Sequence, residues 1–186
     1  MPEPRFTLAL VTSADGFIAR TPGEPPQAWA SAEEQDLFFA EVAAADWSIM
    51  GRHTHEAADR PERRRIILST GAGGWRRPTQ LWLNPEKLGP SDLAARVGAV
   101  HPMRNGLILG GTRVHDWFHA AGAIDIVKLT VEPISFGAGL PVFSGQAAAD
   151  PVQVFQAAGY RAITDEPLNA GGTRLVTLRP RGAAEG

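Results

Sequence analysis

Gly106-Leu-Ile-Leu-Gly-Gly-Thr-Arg-Val-His-Asp-Trp-Phe-His-Ala-Ala121 says most about the architecture of this chain. Leu107, Ile108 and Leu109 read as a short covered strand, and two glycines stop it. Val114, Trp117, Phe118 and Ala121 then recur at helical spacing. A strand that passes through a glycine turn straight into a helix is the repeating unit of a wound α/β sheet. The same corner has a physical reason to hold an anion. Adjacent glycines allow close backbone approach, the new helix presents N–H groups without acceptors, and its dipole favours negative charge. Thr112 and Arg113 add side-chain donors. The competing reading is a glycine pair placed only for tight strand–helix packing. The spacing is neither a Walker loop nor GxGxxG.

Upstream, Ile49-Met-Gly-Arg-His-Thr-His-Glu56 repeats the arrangement, with Gly51 as the break and Arg52, His53 and Thr54 opening a short helical stretch. Two such corners in one small sheet suggest a dinucleotide, because a pyrophosphate and a ribose phosphate need separate cradles; together they lean toward NADP. Arg5 to Thr12 reads as a first strand closed by Ser13-Ala-Asp-Gly16, and Thr21 to Pro26 as a loop. Ser31 caps a helix from Ala32 to Ala45, with Glu34 three residues on. Further strands are expected at Asp46–Met50, Arg65–Ser69 (stopped by the glycines from Gly71 to Gly74), Gln80–Leu83, Asp125–Val131, Val152–Phe155 and Thr173–Leu178. A short capped helix is expected at Ser91–Val97. The whole reads as one α/β domain over residues 1–181, with a mainly parallel sheet, antiparallel C-terminal edge strands and a flexible tail at 182–186.

Composition narrows the chemistry. The 186 residues contain no cysteine, which excludes disulfides, thiolate metal sites and a cysteine nucleophile. A net charge of -2 argues against nucleic-acid or membrane partners and leaves a small-molecule substrate. Of the 18 basic residues 16 are arginine, which fits forked phosphate recognition and high-GC codon usage alike. No apolar run reaches the length of a membrane span and no signal core follows Arg5, so the expected location is cytoplasmic. His53, His55, His115 and His119 lack a third ligand, and no metal is expected. There is no GxSxG. Asp15, Glu33, Glu34 and Asp36 gather around the first loop and helix start. Asp15, at the end of the first strand, suits either a proton relay or a turn-forming Asp-Gly; the helical acids suit either chemistry or the helix dipole.

Taken in order, these motifs resemble a known family. Met50-Gly-Arg-His-Thr-His-Glu-Ala57 followed by Arg65-Ile-Ile-Leu-Ser-Thr70, the segment Ala14-Asp-Gly-Phe-Ile-Ala19 with Trp29 after a loop, and Leu109-Gly-Gly-Thr-Arg-Val114 are similar to dihydrofolate reductases. Ser13-Ala-Asp-Gly16, Ala121-Gly-Ala-Ile-Asp125 and Glu132-Pro-Ile-Ser-Phe-Gly-Ala-Gly-Leu-Pro-Val-Phe143 look more like the sister group, the reductase domain of the riboflavin-biosynthesis deaminase-reductase. The resemblance implies a dihydrofolate reductase-like three-layer sandwich with helices on both faces. It also implies NADPH as cofactor, a homodimer, and hydride transfer to a pyrimidine- or pteridine-like substrate. The phosphoribosylamino-pyrimidine of riboflavin synthesis ranks first and dihydrofolate second; a cofactor-holding scaffold without turnover is the third reading.

Position by position, the resemblance places Val11 and Ile18 at the nicotinamide, and Gly51, Arg52, His53, Thr54 and Ser69 at the adenosine phosphates. Gly110, Gly111, Thr112, Arg113 and Val114 fall at the pyrophosphate. Trp29, Asp36 and Thr130 fall at the substrate, and Asp15 and Glu34 are the proton-handling candidates. Alignment from Trp29 points to Glu34 as the first-helix acid, and alignment from Met50 points nearer Gln35 and Asp36. Two features depart from the riboflavin-type pattern. Leu109 replaces the glutamate before the glycine pair, and Arg60, Arg63, Arg64 and Arg65 loosely replace an arginine motif for a ribose phosphate. With no deaminase motif in the sequence, a stand-alone reductase is expected.

Overall fold

The computed structural model describes residues 2–184. In chain order the elements are β1 (Arg5–Thr12), β2 (Phe17–Ala19), α1 (Ala32–Ala44), β3 (Trp47–Gly51), α2 (Arg52–Ala57), β4 (Arg65–Leu68), β5 (Gly74–Arg77) and β6 (Gln80–Leu83). They continue with α3 (Leu93–Val97), β7 (Asn105–Ile108), α4 (Thr112–Ala120), β8 (Ile126–Val131), β9 (Leu140–Pro141), α5 (Pro151–Ala157), β10 (Tyr160–Pro167) and β11 (Arg174–Pro180). Nine strands form one sheet in the order β10-β11-β8-β1-β7-β3-β4-β6-β5, and β2 pairs separately with β9. The six strands from β8 to β6 are mutually parallel. Antiparallel pairing joins β10 and β11 at one edge and β5 at the other. The chain is thus an α/β protein with a mainly parallel sheet, as its strand–turn–helix corners imply.

Crossover direction fixes the layers. The connections β1–α1–β3 and β3–α2–β4 step one way across the sheet, and β7–α4–β8 steps the other way. Since such connections are right-handed, α1 and α2 lie on one face and α4 on the opposite face. Side-chain alternation agrees. Phe6 and Leu8 of β1, Val127 and Leu129 of β8, and Val114 and Phe118 of α4 share the main core with Leu93 and Val97 of α3. The rings of Phe6 and Phe118 meet there with centroids 5.0 Å apart. Under α1 the sheet instead offers Thr7, Ala9, Ser48 and Lys128, and the one buried residue of that helix is Glu34.

Several elements differ from the sequence reading. Val152–Phe155 is not a strand but part of helix α5. Asp150 caps that helix, its carboxylate accepting from the N–H groups of Val152 and Gln153 at 2.9 and 3.2 Å, and Pro151 fits the first turn. The glycine cluster read as a stop leads into the edge strand β5. The polar run Tyr160–Pro167 becomes β10 because β11 offers it a hydrogen-bonding edge. Ser91 lies inside a 3₁₀ turn, Pro90–Asp92, and it is the Asp92 carboxylate that accepts from the Gly89 N–H there. The tail at 182–186 falls partly outside the described residues.

Candidate active site

The two glycine corners sit side by side. β7 and β3 are neighbours in the sheet, and their chains leave toward α4 on one face and α2 on the other, so a crevice opens at their C-terminal ends. This is the topological switch point at which open α/β sheets take ligands. The Gly51 N–H donates to Gly110 O at 2.9 Å and the Leu109 N–H to Ile49 O at 2.9 Å, joining the corners. Gly110 has φ +89°, where a side chain is strained, and a Cβ there would also stand 3.1 Å from the His115 ring. A Cβ on Gly111 would meet Ile18 at 4.0 Å and nothing closer. Ile18 therefore faces the glycine turn from β2.

On the other side of β7 the sheet splays. β1 pairs with β7 only from Arg5 to Leu8, although it stays paired with β8 through Thr12. The backbone around Val11 consequently presents an edge toward β7 that no ladder partner covers. The crevice runs from Ser69, just beyond the Gly51–Leu68 pair, past both corners to Val11 and Ile18. Arg52 and His53 are exposed at the start of α2 and Thr54 is half-buried; Arg113 is exposed at the start of α4.

Some of the expected groups are already engaged. The Thr112 hydroxyl donates to Pro141 O at 2.6 Å, and the Val114 side chain is buried in the core, so at these positions the backbone is what faces the corner. The histidines of α4 are structural. His115 is buried with Nδ1 2.9 Å from Val142 O, and burial holds its pKa down to about 4 despite that bond. His119 meets the Tyr160 hydroxyl at 2.9 Å.

The arginine group does not gather at the crevice. Arg65 is buried at the start of β4, donating to Ala58 O at 2.7 Å and lying 3.1 Å from His55 Nδ1, and is a structural residue rather than a phosphate ligand. Arg63 and Arg64 line a cavity of about 250 Å³ with Phe39, Val42 and Ser48. Since Arg63 and Arg64 precede β4, that cavity lies toward the N-terminal ends of the strands, away from the crevice and from Glu34.

The acids separate. Asp15 accepts from the Ser13 hydroxyl at 2.6 Å, the Phe136 N–H at 3.0 Å and the Gly137 N–H at 2.7 Å. Burial opposes its charge, but these donors together outweigh burial and keep the carboxyl below the ordinary carboxylate range. Its geometry is that of an anchor fastening the segment after β8 over the β1–β2 turn, and an ionised anchor is a poor proton donor. Asp36 is exposed; two residues from Glu34 is about 200° around a helix, so it faces away from the sheet and out of the site. Glu34 is 7% exposed, and burial together with the repulsion of Glu132 pushes its pKa up to about 7. Thr130 is buried on the same face of β8 as Glu132.

Trp29 stands in the loop leading into α1. Its ring meets Phe136 edge-on at 5.0 Å, Arg20 lies over Phe136 at 5.1 Å, and the buried Trp29 indole N–H has no acceptor. A buried donor without a partner is costly and marks a place where a ligand oxygen would be welcome. Glu132 is the member of this site that the sequence reading lacks. Its signal was the alternation of Thr130 and Glu132 along a strand, which aims both side chains at the α1 face.

Neither a family model nor any curated protein matches the sequence. Solved structures match in shape. A protein from Shewanella sp. PV-4 named as a putative riboflavin biosynthesis protein is 20% identical, with a TM-score of 0.66 over 95% of this chain and 99% of its own. RibD of Acinetobacter baumannii superposes with a TM-score of 0.73 at 18% identity. The chain shares the fold of these riboflavin-biosynthesis proteins. A Thermotoga maritima diaminohydroxyphosphoribosylaminopyrimidine deaminase/5-amino-6-(5-phosphoribosylamino)uracil reductase superposes with a TM-score of 0.68, also at 18% identity. The last two superpositions take in 96% of this chain but only 58% and 57% of the longer proteins. Among the described residues no helix is long and apolar enough to cross a membrane.

Proposed function

We propose that the chain is an NADPH-dependent reductase that transfers hydride to a C=N or carbonyl carbon of a pyrimidine- or pteridine-like substrate. The observation that carries this reading is the pair of glycine corners joined by the Gly51–Gly110 hydrogen bond, opening onto the splay between β1 and β7. The residues fit a dinucleotide. The start of α4 offers N–H groups to a pyrophosphate, and Gly111 leaves room for close approach. Arg52, His53, Thr54 and Ser69 supply donors around the second corner, with Arg113 exposed beside the first. When bound, the nicotinamide supplies the hydride.

The protein's part is placement and proton supply. Val11 and Ile18 confine a flat ring at the splay, and the proline loop with Trp29 and Phe136 shields it from water. Glu34, with its pKa pushed up to about 7, is the proton donor to the substrate as it accepts the hydride. Of the two substrates, 5-amino-6-(5-phosphoribosylamino)uracil ranks first. The Thermotoga neighbour is named for that activity, and Arg20, paired with Glu24 at 3.0 Å, sets a guanidinium over Phe136 beside Trp29, where a sugar phosphate would compete with Glu24 for it. A homodimer is part of the reading, supported by the exposed outer edge of β10, and mass in solution tests it.

Reduced-nicotinamide fluorescence with the protein, followed by absorbance loss on adding each substrate, tests the activity. Binding, with oxidation by the phosphoribosylamino-pyrimidine, is expected. Oxidation by dihydrofolate alone reverses the ranking, and binding without turnover leaves the scaffold. Gly111→Asp adds a second arm, because aspartate still caps α4 while placing a carboxylate where phosphate would sit. NADPH affinity is expected to fall tenfold or more, about 1.4 kcal/mol. Unchanged affinity removes the pyrophosphate site.

A further inference from the structure

The buried acid of the site is held from outside it. Glu132, 4% exposed just beyond β8, accepts from the Ser31 N–H at 2.8 Å through one carboxylate oxygen and from the Thr173 hydroxyl at 2.7 Å through the other. Ser31 caps α1, and its own hydroxyl accepts from the Glu34 N–H at 3.3 Å. Thr173 closes the turn between β10 and β11. Asn169 organises that turn, accepting from the N–H groups of Gly171 and Thr173 at 2.9 and 3.1 Å and donating to the Thr173 hydroxyl at 3.0 Å. The Thr173 hydroxyl thus receives one hydrogen bond and gives its proton to Glu132.

We propose that Glu132 is a positioning residue for Glu34, and that the Leu168–Thr173 turn acts on the site through it, by the chain Asn169, Thr173, Glu132, Ser31. The role of Glu34 in proton supply rests on the reductase reading; its coupling to the turn does not. Other charges lie on these elements: Glu33 meets the relay itself at Asn169, and Glu166 of β10 is exposed. Glu41 pairs with Lys128, Arg174 pairs with Asp165, Asp36 faces outward, and the turn itself contains no charged residue. The fixed Glu132 anion raises the cost of a second negative charge beside it, and the Thr173 hydroxyl partly offsets that anion.

The two ends of the relay predict opposite responses. In the ligand-free protein, the Glu34 carboxyl is followed by carbon NMR through a pH titration and assigned by its loss in Glu34→Gln. Glu132→Gln removes the repelling charge, and the Glu34 midpoint is expected to fall by about one pH unit or more, a tenfold change in proton affinity. Thr173→Val leaves the Glu132 anion with one donor fewer, and the midpoint is expected to rise; Thr173→Ser restores it. A Glu34 midpoint unmoved by Glu132→Gln, or moved the same way by both variants, overturns the proposal. So does a Thr173→Val response that serine fails to rescue. Should either variant not fold, Asn169→Ala supplies the third measurement, with Glu33→Gln as the control for the Asn169–Glu33 hydrogen bond that it also removes: it frees the turn while leaving Glu132 and Thr173 in place, and an unmoved midpoint counts against the relay. If the protein proves not to bind NADPH, the reductase reading falls while these titrations still decide the relay.

Discussion

The two faces of the sheet are built on different principles. On the α4 face, Phe118 is fully buried against Phe6, and Val114, Leu93 and Val97 complete a dry core. On the α1 face, the helix buries one residue, and that residue is a glutamate; Phe38 and Val42 are only half-covered over strand positions as small as Ala9 and Ser48. Apolar packing is what holds α4, whereas α1 is held at its start by Ser31 and Glu132 and farther along by the Glu41–Lys128 pair. The contrast gives one small domain a dry apolar face and an opposite face that buries a titratable group, Glu34.

Truncating each face tests the contrast most severely. Phe118→Ala is expected to cost about 3–5 kcal/mol in denaturant unfolding, from lost burial plus a cavity. Phe38→Ala, from a half-covered site, should cost well under half of that. Similar losses at both positions would mean that α1 is packed after all.

The faces should also respond to pH with opposite sign. Glu34 has a folded pKa raised from 4.5 to about 7, so its neutral form favours the native state. That stability is complete below about 4.5 and is lost as pH rises through about 7. Glu34→Gln is expected to be more stable than the parent above that pH, by about 3 kcal/mol at most, and to match it near pH 4. His115 has a folded pKa lowered from 6.5 to about 4, so its contribution is present above 6.5 and lost as pH falls through about 4. Unfolding curves for Glu34→Gln that run parallel to the parent at every pH would deny Glu34 its buried, neutral state.

The mildest change is expected at the cap. Ser31→Ala removes the hydroxyl that accepts from the Glu34 N–H but keeps the Ser31 N–H bonded to Glu132. A loss of about 1 kcal/mol is expected. A much larger loss would show that the cap, rather than Glu132, is the main tether of α1.

Much of this was readable from particular residues. The strand–glycine–helix corners at Gly51 and Gly110–Gly111 announced a parallel sheet and two candidate anion cradles, because both the turn and the exposed N–H groups follow from local chain geometry. Helix α1 with its Ser31 cap was legible for the same reason. Val152–Phe155 misled because four residues, Val-Gln-Val-Phe, are too few to separate a strand period from a helical one, and the deciding groups, Asp150 and Pro151, lie just before them. β10 carries no apolar alternation and exists only because β11 lies beside it.

The acids show where local reading stops. From the sequence and its family resemblance Asp15 and Glu34 are the proton-handling candidates and Asp36 a substrate contact, within a cluster of carboxylates near the first loop that also holds Glu33. Only the packed chain separates them: backbone N–H groups from Phe136 and Gly137, over a hundred residues away, hold Asp15 ionised, and helix phase turns Asp36 outward. Burial beside Glu132 pushes the Glu34 pKa up to about 7. Which segments turn, cap and pair depends on neighbours along the chain, and so it was already present in the order of the residues. Which carboxylate carries a proton depends on what distant segments bring to within a few ångströms of it, and that is settled only once the chain has folded.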